Sequence, residues 1–123
     1  MSNTTANETL NRMINSYKST EQDCKEWLKA SSGQYNGWVV AWGEYSFIQM
    51  PFKGGNLMSC TTANPTEADA KDLETCTQLA KHLNDNKGEL KDGFTVMTKR
   101  AAVKTTREKA LEHIDCLSQL LKA

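Results

Sequence analysis

Apolar residues change their spacing along this chain, from steps of three and four to short continuous runs and back again, so helices must flank a block of strands. In the first stretch Leu10, Met13, Ile14, Tyr17, Cys24, Trp27 and Leu28 share one stripe of a helix whose other face is Asn, Lys, Glu and Asp. Thr5 followed by Glu8 has the form of a capping box, and Ser31-Ser32-Gly33 supplies a stop. Ser19-Thr20-Glu21 interrupts the stripe, which leaves one long helix or two short ones with the same inward set.

Between Gly37 and Cys60 the pattern is that of strands. Trp38-Val39-Val40-Ala41-Trp42 and Tyr45 to Met50 flank Gly43-Glu44, and glycine first in a two-residue loop suits a type II′ turn. That register sets Trp42 opposite Tyr45, Val40 opposite Phe47 and Trp38 opposite Gln49. Pro51 fits a strand end, and Lys53-Gly54-Gly55-Asn56 leads to a third short strand near Leu57 to Cys60. Asn64-Pro65-Thr66-Glu67 then reads as a helix start, with Leu73, Cys76, Ala80 and Leu83 as its buried stripe. Phe94 to Met97 reads as a fourth strand. From Lys99 the chain returns to helix, with Ala110, Ile114, Leu117 and Leu121 on one side and Thr105 or Thr106 near its start. The expected fold is α+β, in the order α-β-β-β-α-β-α: a small antiparallel sheet of three to four strands, covered on one side by about three helices. Partial matches between the two strand-helix segments disagree in offset, so no repeat is inferred.

At 123 residues the chain is one domain, 1–123, and its 38% hydrophobic and 24% charged residues are those of a globular protein. The longest apolar run, Trp38 to Trp42, is far too short to cross a bilayer, and the polar N-terminal residues lack the form of a secretory signal. The expected location is the cytoplasm. Cys24, Cys60, Cys76 and Cys116 are widely separated, which favours free thiols over a metal or redox pair, and neither His82 nor His113 has ligands at zinc spacing. No metal or cofactor is expected. Both histidines fall in helices, away from any nucleophile with an orienting acid, and no phosphate loop or dinucleotide fingerprint is present. Acidic pairs such as Asp69 and Asp72 have the spacing of solvated helix faces. The chain therefore reads as a non-enzyme.

Formal net charge is zero, yet residues 66–93 hold seven acids against four bases, and 94–123 six bases against three acids. Lys99, Arg100, Lys104, Arg107 and Lys109 form the basic cluster, either a nucleic-acid or phosphate-binding face or a solvated face turned toward the acidic second helix. The hairpin offers the other candidate surface. If Trp38, Val40, Trp42 and Phe47 face the helices together with Trp27 and Leu28, then Val39, Ala41, Ile48 and Met50 form an exposed apolar patch, with Trp42 and Tyr45 at the turn. Such a patch suits a protein partner or a homo-oligomer contact.

Three functions follow from these surfaces. The first is protein–protein interaction, as an inhibitor, adaptor or antagonist of the kind mobile elements such as phages encode. The second is RNA or DNA binding by the basic helix. The third is sequestration of a small nucleotide-like ligand between helices and hairpin.

Overall fold

The computed structural model describes residues 2–32, 36–43, 46–49, 61–89 and 91–122. The first helix, α1 (Ser2–Ala30), is continuous through Ser19-Thr20-Glu21. It begins upstream of Thr5, so the expected capping box lies inside the helix. It ends where the Ser31 hydroxyl donates to the carbonyl of Trp27 at 2.7 Å, an acceptor the same residue's N–H also uses.

Strands β1 (Trp38–Trp42), β2 (Ser46–Ile48), β3 (Thr61–Thr62) and β4 (Phe94–Thr98) form one antiparallel sheet in the order β3-β2-β1-β4. The expected α-β-β-β-α-β-α order is the one observed. The hairpin register is not. Ala41 pairs with Phe47 and Trp42 with Ser46, so three residues separate the paired ends and the two-residue turn is excluded. Gly43 takes φ +66°, a left-handed conformation that favours glycine, and its N–H donates to the carbonyl of Gly93. Because side chains alternate, the extra residue moves Phe47 to the face of Val39 and Ala41, and Ile48 to the face of Val40. The third strand expected at Leu57 to Cys60 lies outside the described residues.

The helix expected from Asn64 onward is interrupted. Asn64 does cap, its side chain accepting from the N–H of Thr66, but only one turn of 3-10 helix forms, Pro65–Glu67. Glu67 accepts from the hydroxyl of Thr62 instead of reaching back to close a capping box. The chain then runs extended to Lys71, which exchanges both backbone hydrogen bonds with Trp38 beside the sheet. Helix α2 (Leu73–Asp85) starts afresh, with Asp72 as its N-cap. Hydrogen bonds from the side chain and N–H of Thr75 hold the Asp72 carboxyl below its ordinary range. Cys76 and Ala80 are buried as expected, whereas Leu73 is exposed. Helix α3 (Lys99–Lys122) follows β4 without a loop. Its cap is Thr98, whose hydroxyl accepts from the N–H of Ala101, so Thr105 and Thr106 are interior residues.

The sheet is covered on both faces, not one. Val39, Ala41 and Phe47 pack with Ala68 and Ala102, under α3 and the 3-10 turn. Trp38, Val40, Trp42, Ile48, Phe94 and Val96 pack against Cys76, Leu79, Ala80 and Leu83 of α2. Helices α2 and α3 therefore lie on opposite sides of the sheet, and the basic cluster does not face the acidic helix. Helix α1 packs mainly on α3, antiparallel to it: Tyr17 meets His113, Glu21 meets Arg107, and Trp27 meets Lys99. The edge strand β4 is closed at one end by Asn84, whose side chain accepts from the N–H of Phe94 at 2.8 Å and donates to its carbonyl at 2.9 Å.

Candidate functional site

Of the hairpin residues expected to form an exposed patch, Val39, Ala41 and Ile48 are at most 4% exposed. They are core in this fold. The reason is the second helical layer: α2 covers the face of Ile48, while α3 covers that of Val39 and Ala41. Trp42 is half-buried, stacked on Phe94 at 5.8 Å, with its indole N–H donating to the carbonyl of Asp92 at 3.2 Å. Tyr45 and Met50 lie outside the described residues.

The basic cluster divides into residues that hold the fold and residues that face outward. Lys99 belongs to the fold. Its ammonium donates to the carbonyls of Thr66 and Ala68 at 2.9 and 2.8 Å and lies 5.7 Å from the ring centre of Trp27. Burial pushes its pKa down, opposed by the charge of Asp69. The two carbonyls belong to the 3-10 segment, so Lys99 ties the start of α3 to the end of the interrupted helix. Trp27 therefore meets Lys99, not the hairpin core anticipated for it. Arg107 is also engaged, donating from Nε to Glu21 of α1 at 3.0 Å. Lys109 points toward the sheet side of the helix pair, where it lines a groove with Tyr17 and His113.

Arg100 and Lys104 remain. Both are exposed, one helical turn apart, and neither makes an ion pair with a described residue. They border a depression of about 180 Å³ on the side of the helix pair away from the sheet, with Leu28 of α1, Arg107, Glu108 and Leu111. Leu28 thus lines an outer groove and not the sheet core. Leu111 is 46% exposed. Sequence reasoning missed it, although it stands seven residues after Lys104 and off the stripe of Ala110, Ile114 and Leu117, which places it beside Lys104 on the outer face.

A second concavity, of about 340 Å³, lies on the opposite side of the pair, between α1, α3 and Ala63. The imidazole of His113 stacks on Tyr17 there, with ring centres 4.9 Å apart and planes 23° from parallel. His82 sits in the last turn of α2, the position expected for it, where its carbonyl accepts from the backbone and side chain of Asn86. Cys24 and Cys76 are buried free thiols and Cys116 is exposed. Burial, then the charges of Asp23 and Glu21, push Cys24 up to about 11. Burial also raises Cys76, whose thiol donates to the carbonyl of Trp38. Among the described residues no three His, Cys, Asp or Glu side chains gather as metal ligands, and no helix is long and apolar enough to cross a membrane.

Compared with protein-family models, with curated proteins and with solved structures, the chain matches none of them.

Proposed function

We propose that this chain is a non-catalytic binding protein, an inhibitor or adaptor, and that its outer α1–α3 face takes an acidic amphipathic segment of another protein. One observation carries the reading: Arg100 and Lys104 stand exposed and unpaired against an apolar floor of Leu28 and Leu111, while Lys99 and Arg107 of the same cluster are engaged within the fold. A partner helix bearing a large apolar side chain and carboxylates one turn away complements such a surface. The leucines supply burial, and the two cations set orientation and on-rate.

The composition of the face favours protein over nucleic acid. Strong phosphate tracking draws on many cations along one groove, with affinity falling steeply as salt rises. Here two outward cations share their depression with Glu108, whose carboxylate repels phosphate, and Lys109 lies around the helix from them. Free thiols at Cys24, Cys76 and Cys116 suit a cytoplasmic location.

Affinity capture from nuclease-treated lysate of the native source tests the proposal. The wild-type chain is expected to retain a specific protein at physiological salt. The double change Arg100→Glu with Lys104→Glu, and separately Leu111→Asp, are expected to release it without lowering the melting temperature. Retention through both changes, or capture that succeeds only when nuclease is left out, contradicts the assignment.

A further inference from the structure

We propose that the outer edge of β4 pairs antiparallel with β4 of a second copy of this chain, joining two sheets into one and leaving the outer α1–α3 face untouched. In the strand order β4 stands last, with β1 on its inner side. Backbone bonds decide which of its residues turn outward. The carbonyl of Gly93 accepts from the N–H of Gly43, and the N–H of Lys99 donates to the carbonyl of Gly37, both across to the chain of β1. Alternation along an antiparallel ladder then turns the backbone groups of Thr95 and Met97 inward and those of Phe94, Val96 and Thr98 outward.

One outward position is filled. The Asn84 side chain accepts from the N–H of Phe94 and donates to its carbonyl, as a neighbouring strand would. The N–H and carbonyl of Val96 and the N–H of Thr98 meet no such partner among the described residues. Side chains do not protect this edge either. Natural edge strands carry lysine, proline or a bulge that deters pairing, whereas β4 is the uncharged run Phe-Thr-Val-Met-Thr, paired to β1 without a bulge, with Val96 and Met97 only half-buried.

The two ends of the edge select the occupant. Pairing about a two-fold axis at Met97 sets Val96 opposite Thr98 of the second copy, and Thr98 opposite its Val96. Each Thr98 N–H then meets a Val96 carbonyl, and each Val96 N–H faces the Thr98 carbonyl that also opens α3. Two residues further along, Phe94 lies opposite Arg100, where the second copy has already turned into its helix. Asn84 thus stands where the incoming strand has ended, while an unrelated extended peptide would run on into it. Leu73, 47% exposed, adds apolar surface: it precedes Asn84 by about three turns of α2 and so lies on the flank that faces this edge.

Sedimentation of the full chain, with site-specific cross-linking, tests the pairing. The chain is expected to be monomeric at about 10 μM and dimeric at about 1 mM, the weak association of a small interface. Met97→Cys should form a disulfide-linked dimer on mild oxidation, identified by peptide mass spectrometry, because residues facing each other in a non-hydrogen-bonded pair lie within disulfide reach. Thr95→Cys should not link to itself, since the same axis sets its two copies about 13 Å apart. Thr95→Lys, at an exposed edge position, should keep the wild-type melting temperature and weaken dimerisation by about ten-fold or more. The proposal is overturned by a monomer at the higher concentration, by Thr95→Cys linking to itself as fast as Met97→Cys, or by Thr95→Lys dimerising like the wild type.

Discussion

The two halves of α3 carry the same helical period but have different neighbours. From Lys99 to Ala110 the helix lies against the sheet, the 3-10 turn and α1, and there Ala102 and Val103 are fully buried and Ala110 is 3% exposed. From Leu111 to Lys122 no described residue is buried. Ile114, Leu117 and Leu121 are half-covered and Leu120 is 56% exposed. The half with the smaller apolar side chains is therefore the better buried. Close approach of a sheet demands small residues, whereas among the described residues no third layer covers the larger ones of the second half. Burial follows the neighbours an element has, and hydrophobicity alone does not locate it.

The same chemical change at both ends gives the largest contrast. Ala102→Asp places a carboxylate among Val39, Ala41 and Phe47 and should cost about 4 kcal/mol or more, a large share of the roughly 5 to 15 kcal/mol that holds a small domain folded. Leu120→Asp should change stability by no more than about 0.5 kcal/mol. Urea titration of both variants measures the gap. Comparable losses would mean that the second half is packed as firmly as the first.

Lys99→Ala comes next. It strands the carbonyls of Thr66 and Ala68 and removes the cation from Trp27, for an expected loss of about 2 to 3 kcal/mol. Lys104→Ala, five residues on, should be within about 0.5 kcal/mol of wild type. If both alanine variants melt alike, the division of the basic cluster is wrong.

Thiols sharpen the comparison further. Cys24 packs beside Arg107 in the first half of the pair, while Cys116 is exposed in the second, so Cys116 should alkylate readily and Cys24 only on unfolding. The folded thiol of Cys24 is raised from 9.0 to about 11, so the folded state holds the proton that the unfolded state releases. Its contribution to stability is complete below pH 9 and is lost as pH rises toward 11. Cys24→Ala should flatten that alkaline decline. The smallest signal is kinetic: amides from Ile114 to Leu121 should exchange faster than those from Ala102 to Ala110.

Element order was legible because the period of the apolar residues changes at Gly37 and again after Met97. The layering was legible in principle and was misread. A hairpin with Val39, Ala41 and Ile48 on one set of positions, and Trp38, Val40 and Phe47 on the other, is apolar on both faces under either register, which is the pattern of a sheet buried on both sides. The register itself turned on one extra residue after Gly43, a difference that glycine in either turn type leaves open. The interrupted helix after Asn64 was not legible, since its cap signal is real and the break comes from distant partners, Trp38 and Lys99. At the basic cluster, charge was visible in the sequence. The partition was not, because it depends on which side of α3 the 3-10 segment and Glu21 approach.

That partition, with Arg100 and Lys104 facing a partner across Leu111, is the central claim, and lysine acylation of the captured complex tests it most directly. In the complex Lys104 should be labelled much more slowly than in the free chain, while Lys81, on α2 across the sheet, keeps its rate. Unchanged labelling of Lys104 with new protection at Lys81 would place recognition on the opposite side of the molecule and contradict the account.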